Sequence, residues 1–411
     1  MGARPSTQDD LLCLKSHAPS TRQRKQAFQR LRVSLAPVLP LEDLRRVVAL
    51  VQAQIFSAWA RPPPGASRLS PEALADRVRG CLFGAAIGDA AGLATEFLTK
   101  DQVRDFYGLG CDFAPGREAF PDEHRMMWCS GDWTDDTDQQ IVLLQSMLHS
   151  VGKVEPTVFA RRLNEWRRGG FAELGDQSGG GLGQATKAVM NDPRFVESPQ
   201  LAAVAHSAAT PSNGGVMRTA VVGLAEFWDD ETVAEQAANQ CRVTHADPRC
   251  VASCIAVAVA VARLLQGADQ GEDSLEHCVI EPALARARAV LMDSPDATSE
   301  FDSHCRTQEL GALVLDETRK IGYTFKCLGA GLWALRSAAG FRETLNTLIY
   351  EAGDADTNGT VAGALLGCRL GYSQLPRDWI EGMPYHSWLE AQVQKVLLAF
   401  EMPARHDAPL S

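Results

Sequence analysis

Gly131-Asp132-Trp133-Thr134-Asp135-Asp136-Thr137-Asp138 packs four carboxylates and two threonine hydroxyls into eight residues. The apolar positions that follow, Ile141, Val142, Leu143, Leu144, Met147 and Leu148, recur at helical spacing and predict a helix that opens at the acidic cluster. The free N–H groups and dipole of a helix start favour one or two acids. Four exceed that need, and neighbouring carboxylates repel unless they share a cation. Oxygen donors at this density suit Mg²⁺, Mn²⁺ or Ca²⁺ rather than zinc. Two readings are open from this stretch alone: an over-acidic capping box, or half of a metal site.

A second stretch favours the metal. Gly353-Asp354-Ala355-Asp356-Thr357-Asn358-Gly359 again sets Asp-x-Asp-Thr before a small-residue helix, Val361 to Gly367. Two such turns facing one another can hold a pair of metals, a recurring hydrolytic device.

Outside these motifs nearly every apolar segment is rich in Ala and Leu with helical period, and no run alternates as a strand does. The expected fold is all-α, a single large orthogonal helical bundle over residues 68–400. Ser70-Pro71-Glu72 opens it as an N-cap followed by proline at the first helical position. Residues 1–67 read as an N-terminal helical extension, partly disordered, ending in the Pro-rich linker Arg61 to Ser67; 401–411 read as a tail. Further helices are expected over 141–150, 156–168, 276–292, 327–338 and 343–352. The Ala/Val-rich run Val251 to Ala262 is too short to span a bilayer and reads as a buried helix.

A chain of 411 residues with 45% hydrophobic and 22% charged residues has the composition of a soluble globular protein. Its net charge of −11 disfavours nucleic acid as a general partner. The 11 cysteines form no Cys-x-x-Cys and no zinc-like cluster. Cys250 and Cys254, one helical turn apart, read as buried thiols in a reducing compartment. No signal peptide is visible, and Asp9 and Asp10 disfavour a transit peptide. The expected location is the cytoplasm, with nucleus and mitochondrion left open.

Single residues add detail. Asp89 and Glu96 are seven apart, so on one continuous helix they share a face. Glu96, among Gly92, Leu93, Ala94 and Phe97, reads either as a proton-transfer carboxyl with raised pKa or as a solvated glutamate at a helix end. Ser178, Gly179, Gly180, Gly181 and Gly183 form a loop that either cradles a diphosphate or is a flexible surface loop; it is neither a P-loop nor a Rossmann fingerprint. The Asn213-Gly214-Gly215 turn reads either as a presenter of backbone donors and a side-chain amide or as a structural turn, and Arg218 beyond it is placed to pair with a site carboxylate rather than touch ligand. His245 reads as a capping residue or a ribose or base contact. Tyr323 and Phe325 read as core or as adenine-stacking rings.

In order, the motifs are Gly88-Asp89-x-x-Gly92-x-x-x-Glu96-Phe97, Trp133-Thr134-Asp135-Asp136-Thr137, Ser212-Asn213-Gly214-Gly215-Val216-Met217-Arg218, Thr244-His245 and Gly353 to Gly359 with Ala362 to Gly367. Over residues 76–372 this order resembles the ADP-ribosylglycohydrolase family. The resemblance implies an orthogonal all-α fold with a binuclear site for two Mg²⁺ ions, or Mn²⁺, beneath an ADP-ribose cleft. Carried over by motif, Thr134, Asp135 and Asp136 supply one set of metal ligands, and Asp354, Asp356 and Thr357 the other. Glu96 matches the catalytic acid, base or switchable ligand, with Asp89 beside it in the catalytic group. Asn213, Gly214, Gly215 and His245 match nucleotide-contacting positions, and the 178–183 loop matches the diphosphate position loosely.

The implied activity is Mg²⁺-dependent hydrolysis of the glycosidic bond at C1″ of ADP-ribose, N- or O-linked, in a modified protein side chain or small-molecule conjugate. Nucleic acid enters only as a modified substrate, no membrane is implied, and relatives are commonly monomers. The alternatives are an inactive ADP-ribose-binding or structural member of the fold, and a metal-dependent phosphohydrolase. This chain departs from relatives at Ala355, where many have threonine, and at Ala352, where glycine is frequent.

Overall fold

The computed structural model describes residues 59–271 and 274–400. Helix α1 (Pro71–Gly92) starts where Ser70 Oγ accepts from the Ala73 N–H, with proline at the first helical position. The chain continues through α2 (Lys100–Tyr107), α3 (Asp135–His149), α4 (Pro156–Gly169), α5 (Gln184–Met190) and α6 (Pro199–Ser207). Next come α7 (Asp230–Cys241), α8 (Pro248–Leu265), α9 (Glu281–Arg288), α10 (Pro295–Cys305) and α11 (Thr324–Arg336). The last are α12 (Phe341–Ile349), α13 (Ala355–Leu370), α14 (Arg377–Gly382) and α15 (His386–Ala399). No strand occurs among the described residues, so the all-α expectation holds; one isolated antiparallel bridge joins Ser212 to Tyr323. Of the expected extension over residues 1–67, residues 1–58 lie outside the described residues, as does the tail over 401–411.

The bundle centres on α8, whose side chains from Cys250 to Leu265 are almost all buried. By length and composition alone α8 could cross a bilayer, but 83% of its apolar window is buried inside the protein, as the buried-helix reading expected. Cys250 and Cys254 are buried on it. The linker is pinned to the same helix: Ser67 Oγ donates to Leu265 C=O at 2.6 Å.

The closest helix pair is α1 against α13. Glycines at Gly80, Gly84 and Gly88 recur every four residues and so share one face, as do Gly359, Gly363 and Gly367 opposite. A Cβ placed on Gly88 would lie 1.9 Å from Gly359 O, and one on Gly363 2.0 Å from Gly84 O. Only backbone fits in this seam. The seam sets Asp89, near the end of α1, beside Asp356 at the start of α13.

Two helical expectations change in detail. The stretch 276–292 is not one helix but a π-helical turn (Leu275–Ile280), then α9, then a 3₁₀ turn (Ala289–Leu291). Pro282 has no N–H to return to the preceding turn, and the helix widens there. The 343–352 expectation overruns: α12 ends at Ile349, and Ala352 and Gly353 turn at φ 61° and 75°.

Candidate active site

The first acidic motif opens α3 as expected. Thr134 is the N-cap, with its Oγ1 accepting from Asp136 N at 3.3 Å. Asp89 caps the same turn from α1. It accepts from Thr134 N (3.0 Å), Thr134 Oγ1 (2.9 Å), Thr137 N (2.9 Å) and Thr137 Oγ1 (2.6 Å). With four bonds and no exposure, Asp89 lies beneath the cleft as a brace. Asp138 points elsewhere, accepting from the indole N–H groups of Trp133 and Trp166.

Asp89 and Glu96 do not share a helix. Helix α1 stops at Gly92, whose Cβ would sit 2.3 Å from Ala355 O, and the chain must turn away from α13 there. Glu96 lies in that turn and is locked to the second motif by two backbone bonds, Phe97 N to Gly353 O (2.6 Å) and Gly353 N to Leu98 O (3.1 Å). These bonds bring Glu96 to Asp354 and Asp356, with one carboxylate oxygen of each within 4.8 Å of the others. Thr134 Oγ1 lies 3.4 Å from Asp356 Oδ2, so the two acidic turns do face each other.

This cluster fits a cation. Asp136 Oδ2 and Asp356 Oδ1 are buried without a hydrogen-bond partner among the described residues. Burial first, then mutual repulsion, pushes the Asp135 carboxyl up to about 8 and drives Asp136 and Asp356 well above the usual carboxylate range. Asp89 is raised by burial to about 6 against the pull of its threonine bonds. Crowded buried oxygens must take up protons or a hard divalent ion. Glu96 is also raised by burial, and His124 Nε2 lies 2.5 Å from its Oε2 in opposition. The His124 imidazole is raised in turn by that bond.

A cleft of about 1290 Å³ covers the cluster. Phe97, His124, Met127 and Trp128 form its rim beside Glu96, above Thr134, Asp135, Asp136, Asp354, Asp356 and Thr357. The lining continues through Gly181, Gly183, Asn213, Gly214 and His245 to Arg249 and Tyr323. Asn213 Nδ2 donates to Asp354 Oδ2 at 2.8 Å, joining the Asn-Gly-Gly turn to the acids. Gly181, at φ 78°, brings backbone so near Asp135 that a Cβ would lie 2.3 Å from its Oδ1. Four expected contacts do not line this cleft. Ser178 lies outside its lining. Gly179 packs on the Trp166 ring and Gly180 faces Trp128. Gly215 faces the Cys241 and Cys254 thiols, because the 3₁₀ turn rotates it inward. Phe325 is core, whereas Tyr323 reaches the cleft.

Arg218 is fully buried, and its direct partners are not carboxylates. It donates to Gln139 Oε1 (2.6 Å), Gln240 Oε1 (3.1 Å) and Thr244 Oγ1 (2.6 Å). Gln139 then donates to Asp135 Oδ2 at 2.5 Å, so the cation reaches the acid through an amide. The Thr244 oxygen that accepts from Arg218 also lies 2.8 Å from His245 Nδ1, and His245 Nε2 lies 3.0 Å from Ser212 Oγ, so both ring nitrogens have a hydroxyl partner. Burial and Arg218 push the His245 imidazole down to about 3, so it is neutral. No sequence motif singles out Gln139, although its spacing one turn after Asp135 marks it; nothing local marks His124 as the partner of Glu96.

The family model for ADP-ribosylglycohydrolases matches residues 70–406. The chain belongs to the ADP-ribosylglycohydrolase family. This member is 28% identical over 342 residues to ADP-ribosylarginine hydrolase Tri1 of Pseudomonas putida, covering 80% of each chain. It is 23% identical to the ADP-ribosyl-[dinitrogen reductase] glycohydrolase of Rhodospirillum rubrum, over 74% of this chain and 89% of the other. A solved ADP-ribosylglycohydrolase-related protein complex shares the fold at a TM-score of 0.56 and 22% identity, covering 80% of this chain and 99% of that one. Family and relatives together support a glycohydrolase that acts on ADP-ribose linkages.

Proposed function

We propose that this protein is a Mg²⁺-dependent hydrolase that cleaves the bond between C1″ of ADP-ribose and a guanidinium nitrogen of an arginine side chain. The observation that carries the reading is the convergence of Glu96, Asp354 and Asp356 opposite the Thr134-Asp135-Asp136 turn at the floor of a deep cleft. Thr134, Asp135, Asp136, Asp354, Asp356 and Thr357 would hold two divalent ions, which when bound orient ribose hydroxyls and polarise water.

The chain's own groups supply the rest. Asn213, Gly214, Gly181 and Gly183 offer an amide and backbone N–H groups to the ribose and diphosphate. Neutral His245, with Nδ1 satisfied by Thr244, keeps its Nε2 side for Ser212 or a ligand hydroxyl. Glu96, lifted by burial and steered by His124, takes a proton from the water that adds to C1″ and returns one to the departing guanidine. Asp89 acts by bracing the first ligand turn.

An arginine acceptor suits the rim. Phe97 and Trp128 line the same cleft as the Glu96 carboxylate, and aromatic rings together with a carboxylate suit a flat cation. The Pseudomonas putida relative carries an arginine-linked name. The deciding assay is ADP-ribose release from arginine-, serine- and nucleobase-linked substrates, in Mg²⁺ and in EDTA. Release from the arginine conjugate in Mg²⁺ alone is expected. Tight ADP-ribose binding without release from any conjugate refutes it and favours an inactive binding member.

A further inference from the structure

A buried guanidinium is costly unless its charge and its donors are met. Arg218 is fully buried, and none of its four acceptors is a carboxylate. It lies over the Phe159 ring, 5.0 Å from the centroid. Its donors go to Gln139 Oε1, Gln240 Oε1, Gln240 C=O and Thr244 Oγ1. Gln139, Gln240 and Thr244 are themselves buried.

An amide has a donor end and an acceptor end, whereas a guanidinium can only donate. Arg218 therefore decides which way both glutamines point. With its Oε1 held by Arg218, Gln139 turns Nε2 outward and donates to Asp135 Oδ2 at 2.5 Å. The reversed amide would set N–H against N–H at Arg218 and oxygen against oxygen at Asp135. Gln240 obeys the same rule: its Oε1 accepts from Arg218 Nε, and its Nε2 donates to Gly215 C=O at 3.1 Å.

The two amides lead to opposite halves of the acidic cluster. Gln139 ends on Asp135, in the turn that opens α3. Gln240 ends on the Asn213–Gly215 turn, whose Asn213 Nδ2 donates to Asp354 Oδ2 at the start of α13. Asp135 Oδ1, the oxygen that Gln139 leaves alone, lies against the Gly181 backbone, so this carboxylate is approached from both sides. Asp135, Asp354 and Asn213 line the cleft, but Arg218, Gln139 and Gln240 do not. The three act on the cleft from behind it.

We propose that Arg218 is a positioning residue for both halves of the cation site, acting through the oriented amides of Gln139 and Gln240. This rests on the hydrolase reading and deepens it. Without the guanidinium, Asp135 loses a fixed donor and the Asn213 turn loses its anchor, and cation binding weakens although no ligand has been removed.

The test is calorimetric titration of the metal-free full chain with Mg²⁺ alone. Gln139→Met and Gln240→Met delete the amide and keep an unbranched side chain of similar size. Arg218→Lys keeps the charge and loses the planar fork. Melts in EDTA show whether each variant folds. The expected result is a Mg²⁺ Kd raised by about 10–100-fold in Gln139→Met and Arg218→Lys, and by at least about threefold in Gln240→Met. Adding Gln139→Met to Arg218→Lys should raise it by less than about threefold further, because both cut the same path. A lower Tm with an unchanged Kd, or effects of the two changes that multiply in full, overturns the proposal. So does a glutamine variant that is unfolded in EDTA, since its amide then serves the core. If Arg218→Lys alone fails to fold, the two glutamine variants decide: a raised Kd in both supports the proposal, and an unchanged Kd in either overturns it. A wild type that binds no Mg²⁺ sinks the hydrolase reading and this one with it. ADP-ribose release by the wild type beside unchanged Kd values in the variants removes only the positioning role.

Discussion

Adding one methyl group to the α1–α13 seam tests the packing on which the site depends. In Gly363→Ala the new Cβ would lie 2.0 Å from Gly84 O and 2.8 Å from Gly84 C. Both are backbone atoms and cannot rotate aside. Reaching an ordinary contact of roughly 3.5 Å needs the helices to part by about 1.5 Å. A gap of that size forfeits at least about half of each pair's dispersion well along the seam. Overpacking costs typically about 1–3 kcal/mol, and a clash with fixed backbone belongs at the upper end. Alanine returns about 1 kcal/mol of helix propensity. The net expectation is a loss of about 2 kcal/mol, or a Tm lower by about 3 °C. Activity should fall further, because Asp89 and Asp356 ride on the two helices being parted. Thermal melts and ADP-ribose release on the same preparation measure both. Gly311→Ala is the control: nothing lies within 4 Å of its Cβ, and its stability should change by less than about 1 kcal/mol. A Gly363→Ala protein that melts with the wild type and releases ADP-ribose normally refutes the account of the seam.

Other expectations follow from the site. Glu96→Gln should lower kcat by about 10²–10⁴ while ADP-ribose still binds in calorimetry; a small drop would remove Glu96 from proton transfer. Mg²⁺ at about a hundred times its Kd should stabilise the wild type by about 2.7 kcal/mol in melts, and Asp354→Asn should lose most of that gain. His245 is held at about 3 against its usual value of 6.5, so the unfolded chain takes its proton first. Its contribution to stability is therefore present above pH 6.5 and is lost by about 1.4 kcal/mol per unit as pH falls towards 3. The stability difference between wild type and His245→Gln should shrink over that window in urea titrations, and a constant difference contradicts a neutral imidazole. Ala352→Gly relieves a left-handed alanine, worth about 1–2 kcal/mol. It also deletes a fully buried methyl worth about 0.8 kcal/mol and loosens the unfolded chain by about 0.4–1. These nearly cancel, so a Tm change beyond a few degrees would show that one is misjudged.

Much of the site is legible in the sequence because it is built from turns that open helices. Thr134 and Asp354 precede their helices by one residue, and a helix start is a local signal. The close approach at Gly84 and Gly88 needs the glycines of α13, far away in the chain and recognisable only as a partner in space. What escapes is whatever depends on that partner. Helix α1 ends at Gly92 because Ala355 blocks it, and this takes Glu96 off the face it was expected to share with Asp89. The four bonds that occupy Asp89, and the amide between Arg218 and Asp135, cross between segments that no local pattern links. Ala352 shows the reverse: at φ 61° it holds a conformation that favours glycine, the residue the family resemblance leads one to expect there.

The glycine seam has one more effect. Repelling carboxylates on two helices can normally ease apart, spending the repulsion on a slightly looser fold. Here α1 and α13 already touch backbone to backbone, with Asp89 near the end of one and Asp356 at the start of the other. With retreat resisted by the tightest packing in the molecule, the repulsion has two remaining outlets, proton uptake or cation uptake. The seam therefore acts on cation affinity from a distance. It preorganises the cluster, so that a cation has less rearrangement left to induce.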